Sequence, residues 1–147
     1  MKNFELTTEL CEKMAKAAED TQREAGAEIS LAIADRNGNL KCFYRFGDAI
    51  LPSIEIAQHK AYTAAVLRQS TGEFGKIAQV GGSAFGINVV SPRLVIFGGG
   101  FPLQIDGETV GGIGISGGSV EQDEMIAEKV LEAFQNADRI LELRIEN

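Results

Sequence analysis

The sequence predicts an α+β domain: a five-stranded antiparallel sheet with helices packed on its faces. Three observations lead there. Two apolar-alternating hairpins are separated in the chain by helical segments. A glycine-dense stretch from Val95 to Asp123 contains one of those hairpins and the start of a helix. The resulting order, α-β-β-α-α-β-β-β-α, lacks the βαβ repeats of a doubly wound sheet. At 147 residues, with 44% hydrophobic and 24% charged residues, the chain reads as one soluble domain over 1–147 with a proper core.

Residues Thr8 to Ala25 form the first expected helix. Leu10, Met14, Ala17, Thr21 and Ala25 recur at steps of three and four, and Gly26 stands at the C-cap position. Ile29, Leu31 and Ile33 alternate as a strand, Asp35-Arg36-Asn37-Gly38 is a turn, and Leu40 to Phe46 returns. Pro52 and Ser53 open a second helix, because proline suits the first helical position. Its residues Ile54, Ala57, Ala61, Ala64 and Ala65 make a narrow face of small side chains. Ser70-x-x-Glu73 has capping-box spacing and opens a short helix through about Gln79. Val80 to Pro92 reads as a loop, a candidate for ligand contact or subunit packing.

Leu94 to Phe97 reads as the third strand, followed by Gly98-Gly99-Gly100. Ile105-Asp106-Gly107-Glu108 is a strong hairpin turn. Beyond it, Thr109, Gly111, Ile113 and Ile115 alternate with Val110, Gly112, Gly114 and Ser116. Successive strand side chains point to opposite faces, so the second set leaves a face of nearly bare backbone. The alanine face of the second helix is its natural partner. Ser119 and Gln122 form another capping box, with Glu121, Asp123 and Glu124 in the first turn where the helix dipole favours acid. The last helix turns Ile126, Val130, Ala133, Phe134 and Ala137 inward, and the tail from Arg139 to Asn147 either continues it or frays.

Several function classes are disfavoured. A net charge of −7 and the lack of a basic cluster argue against nucleic acid. No apolar run is long enough to span a membrane, and Met1 to Glu5 lack the pattern of a signal peptide, which points to the cytoplasm. Cys11 and Cys42 fall on different elements and read as buried free thiols. Gly112-x-Gly114-x-x-Gly117 matches the dinucleotide fingerprint, but its strand belongs to an antiparallel hairpin, so close packing explains it better. With one histidine there is neither a catalytic triad nor a protein-only zinc site.

Three ordered motifs carry a resemblance: the run from Pro52 through Lys60 to Ala64, Gly98-Gly99-Gly100-x-Pro102, and Asp106-Gly107 through Gly118 with Asp123 beyond. Together they make nearly the whole chain resemble the GlcG/HbpS-type haem-binding (haem-degrading) domain, found also as the C-terminal part of PduO-type proteins. The resemblance implies a profilin-like α-β-α sandwich, often assembled into higher oligomers, and occurrence beside glycolate, glycerol or diol utilisation enzymes or in extracellular haem sensing. It makes the expected function that of a cytoplasmic, oligomeric, haem-type small-molecule-binding protein. The alternatives are a non-catalytic accessory subunit of a metabolic enzyme, or an enzyme acting on haem or a small hydroxy acid.

The candidate ligand-binding residues are His59, Lys60, Gly98, Gly99 and Gly100. His59 is either a haem-iron ligand, its most specific use, or a surface histidine loosely paired with Glu55. Lys60 is either a solvated or snorkelling side chain, or a cation for an acidic substrate or haem propionate; Arg45 and Arg68 have the same two readings. The triple glycine either offers backbone N–H groups to a carboxylate or makes a flexible corner. Methionine can also ligate iron, but Met14 and Met125 sit at helical spacing, which fits core or rim residues better.

Overall fold

A computed structural model describes residues 4–146, with side-chain surroundings through residue 137. Met1 to Asn3, on which part of the leader reading rests, and Asn147 of the tail lie outside the described residues. The elements are α1 (Thr8–Ala25), β1 (Ser30–Asp35), β2 (Leu40–Arg45), α2 (Pro52–Leu67), α3 (Thr71–Ala78), α4 (Ile87–Val90), β3 (Gly100–Ile105), β4 (Glu108–Ser116) and α5 (Val120–Glu146). The strands form one antiparallel sheet in the order β2-β1-β4-β3.

Local chemistry sets most boundaries. Gly26 ends α1 in the left-handed conformation at φ 68°, where its missing Cβ removes the steric penalty. Asp106 and Gly107, at φ 51° and 81°, make the turn between β3 and β4 whose positive φ values match strand twist. Ser119 Oγ accepts from Gln122 N at 3.1 Å, and Gln122 Oε1 accepts from Ser119 N at 2.9 Å, completing the expected capping box of α5. That helix continues through Arg139 to Glu146.

The sheet separates two helical layers. Leu31, Ile33, Leu103, Ile113 and Ile115 face α1 and α5, meeting Met14, Ile126, Val130 and Phe134 in the main core. Ala32 and Ala34 face α2, beside Gly112 and Gly114 of β4, with which they are in register. A Cβ on Gly112 would lie 2.8 Å from Ala65 N, and one on Gly114 would lie 2.7 Å from Ala61 N. The bare face of β4 therefore receives the backbone of α2, as the sequence predicts. Burial on both sides makes β1 almost wholly interior.

Three sequence expectations need correction. The sheet has four strands, because Leu94–Phe97 does not join a ladder. Instead Leu94 N donates to Ser91 O, Val95 N donates to the Thr63 hydroxyl at 3.0 Å, and Ile96 O lies against Gly75. The segment is thus pinned over α2 and α3. Secondly, a register shift opposite Leu103 and Gln104 leaves Val110 unpaired and turns it into the main core rather than toward α2. Thirdly, the Val80–Pro92 connection includes the single turn α4.

Candidate functional site

The structure separates the predicted ligand residues into a buried group and a surface group. Lys60 and Gly98–Gly100 come together in the interior; His59, one residue along α2, faces outward.

Lys60 is neither solvated nor snorkelling. Its side chain has 0% exposure, although it rises from a helix of small residues. Nζ donates to Ile115 O at 2.7 Å and to Asp123 Oδ2 at 3.2 Å, and lies 5.2 Å from the Phe97 ring centroid. Asp123 Oδ1 in turn accepts from Gly118 N at 2.9 Å. One lysine thus joins α2, the end of β4 and the first turn of α5. Burial lowers the Lys60 pKa, opposed by the Asp123 carboxylate; burial likewise raises the Asp123 pKa, opposed first by Lys60.

The triple glycine makes room for this pair. A Cβ on Gly99, which has φ 123°, would sit 2.5 Å from Lys60 Nζ, and one on Gly98 would strike the Glu124 carboxylate. Gly100 N donates to the Thr71 hydroxyl at 2.9 Å, and Gly99 O accepts from Ile115 N at 2.8 Å. All three glycines are buried. Among the described residues every buried side-chain polar atom has a hydrogen-bond partner, so this cluster is internally satisfied.

His59 belongs to a different environment. Its side chain is 26% exposed, and Nε2 lies 3.9 Å from Glu55 Oε1, beyond hydrogen-bond reach. Three residues further along α2, the Tyr62 ring carries the Arg93 guanidinium stacked 3.7 Å from its centroid. Thr63 ties these pieces together: its hydroxyl hydrogen-bonds with His59 O at 2.7 Å and Arg93 O at 3.2 Å. An imidazole, an aromatic ring and a guanidinium therefore share the outer side of α2. Tyr62 also packs with Ile87 and Ile96 on the cluster beneath α3 and α4.

Arg93 escaped the sequence reading. Nothing in Ser91-Pro92-Arg93 marks a cation stacked on a ring thirty-one positions earlier. Arg45 instead donates to Ala49 O at 3.0 and 2.7 Å, and Arg68 caps α2 in the left-handed conformation. Among the described residues no group of three or more His, Cys, Asp or Glu side chains is placed to hold a metal ion. No helix there is long and apolar enough to cross a membrane.

These features define a layered α-β-α domain with an internally satisfied polar cluster and a mixed aromatic and cationic patch along one outer helix. The chain belongs to the family described as haem degrading protein HbpS-like, which it matches over residues 6–132. It is 39% identical over 130 residues to an uncharacterised 15.0 kDa protein from the dhaT-dhaS intergenic region of Citrobacter freundii, covering 88% of this chain and 92% of that one. The crystal structure of Klebsiella pneumoniae ORFY superposes with a TM-score of 0.85 at 32% identity, covering 92% and 96% of the two chains. That of a PduOC:heme complex superposes with a TM-score of 0.84 at 34% identity, covering 88% and 95%.

Proposed function

We propose that this chain is a cytoplasmic, self-associating small-molecule-binding protein that takes haem on the outer side of α2. The observation that carries the reading is the joint placement of His59, Tyr62 and Arg93. His59 offers an imidazole whose Nε2, 3.9 Å from Glu55 Oε1, makes no hydrogen bond among the described residues, which suits an axial iron ligand. Tyr62 offers ring surface to a porphyrin, and Arg93 offers a fixed guanidinium to a propionate. When bound, haem supplies a redox-active iron. The protein's part is to seat it and set its axial ligand. The relative solved with heme supports this reading. In it Lys60 and Gly98–Gly100 serve the ligand from beneath, by fixing α2 against β4 and α5, rather than by touching it. The metabolic setting beside glycolate, glycerol or diol utilisation enzymes belongs to the same proposal.

Self-association has its own supporting observation. From Ile77 to Pro92 the chain contains no charged residue, yet Val80, Phe85, Val89 and Val90 are 85%, 65%, 78% and 86% exposed. Contiguous apolar exposure on a chain of net charge −7 fits a surface covered by another subunit.

A hemin titration followed by visible absorption tests the ligand. Saturable, stoichiometric binding with a sharp Soret band that changes in His59→Ala is expected. Non-saturating association sinks the haem reading. Saturable binding whose spectrum is unmoved by the substitution removes His59 as ligand.

A further inference from the structure

The two cysteines, separated in the chain, meet in the fold. Cys42 lies on β2 in register with Ile33, so its side chain shares the sheet face covered by α1. Cys11 lies on the buried side of α1 and belongs to the core against which Cys42 packs. Both are free thiols, and the Cys42 side chain stands near enough to Cys11 to act on its thiol. Lys41 and Glu12 flank the pair, and Tyr44 stands two residues along the same strand. The two sulfurs differ in access: Cys11 has 0% exposure, whereas Cys42 is half-buried on an edge strand.

We infer that Cys11 and Cys42 form a redox-responsive pair that closes into an intramolecular disulfide under peroxide, locking α1 to the edge strand β2. The exposure difference assigns the roles. The Cys42 thiolate attacks one oxygen of hydrogen peroxide; the O–O bond breaks, leaving Cys42 sulfenic acid and a hydroxide that is protonated to water. Cys11 sulfur then attacks Cys42 sulfur, its own proton leaves, and the displaced hydroxide becomes a second water. Two thiols and one peroxide thus give one disulfide and two waters, the sulfurs losing the two electrons that the peroxide oxygens gain. Burial, followed by the neighbouring Cys42 side chain, pushes the Cys11 thiol up to about 12. Cys11 therefore stays protonated until a neighbouring sulfenic acid draws its attack, which suits a resolving and not an initiating cysteine.

The test treats the purified full-length chain, free of haem, with stoichiometric hydrogen peroxide. The expected product has lost both titratable thiols, is lighter by two hydrogens, remains a single chain on a non-reducing gel, and yields a peptide linking Cys11 to Cys42. Dithiothreitol restores the thiols, and the oxidised form has the higher Tm. Cys11→Ser stalls as a Cys42 sulfenic acid that a cyclic 1,3-diketone captures. Cys42→Ser leaves Cys11 reduced at least about 10-fold longer, since the buried sulfur is a poor initiator. Wild-type protein that accumulates Cys42 sulfenic or sulfinic acid beside a free Cys11, forms only intermolecular disulfides, or keeps both thiols overturns the inference. The wild-type result decides the matter even if a serine variant folds poorly.

Discussion

Lys60 Nζ lies 3.2 Å from Asp123 Oδ2, and the two side chains are only 0% and 5% exposed. A buried pair of this kind costs desolvation on both sides, recovered only while each partner is present. Lys60→Met leaves the Asp123 carboxylate buried without its cation, and Asp123→Leu leaves the ammonium with Ile115 O as its one hydrogen-bond acceptor among the described residues. Each single substitution is expected to destabilise the fold by about 3–5 kcal/mol, and the double substitution by less than the sum. Urea denaturation of the four proteins checks this cycle; additive losses would show that the two residues act independently.

The same pair fixes the sign of a pH dependence. The Asp123 pKa is raised in the fold, so the native state holds that proton more tightly than the unfolded chain. Its contribution is fully present below the unfolded value of about 3.9 and is lost as pH rises through the folded value. The Lys60 pKa is lowered, so the unfolded chain binds that proton more tightly, and stability is regained as pH climbs toward about 10.4. Relative to the Lys60→Met/Asp123→Leu protein, wild type is therefore expected to be least favoured on the neutral plateau between the two windows. Urea midpoints from acid to alkaline pH measure this difference; a wild-type advantage that peaks at neutrality would reverse both signs.

Close approach, not flexibility, explains the glycines of β4. Gly114→Ala places a methyl against the backbone of Ala57 and Ala61, which cannot yield without moving α2. The expected loss is about 1–3 kcal/mol or more. Gly26→Ala meets no atom within 4 Å but must hold φ 68°, at about 1–2 kcal/mol. Chemical denaturation ranks the two, and a further difference separates them: only Gly114→Ala should weaken amide protection along α2.

Much of this architecture was legible in the chain. Capping boxes, turn residues and apolar periodicity are local signals, and they located α1, α2, α3, α5 and both hairpins. The pairing of the glycine face with the alanine face was also readable, because each face makes sense only against a close neighbour. What stayed hidden depends on distant partners. The apolar run Leu94–Phe97 has strand-like composition, but the hydroxyls of Thr63 and Thr71 take N–H groups in and just after it, at Val95 and Gly100. Lys60 resembled a surface lysine because Asp123, 63 positions later, is what allows it to be buried. The bulge at Val110 likewise follows from its partner strand, not from its own sequence.

The surface patch on α2 separates ligation from anchoring. Under the haem proposal, His59→Ala changes the Soret position because it changes the axial ligand. Arg93→Gln should leave that position in place while weakening affinity about 10-fold, through the loss of one charge-assisted contact to a propionate. Raised salt should narrow the gap between Arg93→Gln and wild type. Parallel hemin titrations check the split. An Arg93→Gln protein with wild-type affinity would place the propionates elsewhere, and one with a shifted Soret band would mean that Arg93 acts on the ligation itself.

A last prediction concerns the uncharged segment around α4. Val89 and Val90 are 78% and 86% exposed, so neither supports the core of its own subunit. Replacing both with glutamate should therefore cost the isolated subunit within about 0.5 kcal/mol. In an assembly the same change buries unpaired carboxylates against an apolar surface, on a chain already at −7. Light scattering coupled to size exclusion is expected to show wild type above the subunit mass of 15.8 kDa and the double variant at it, with an unchanged far-UV spectrum. Identical masses for the two proteins would leave α4 outside the subunit contact. Loss of helical signal in the variant would mean that the valines hold the segment in place within a single chain.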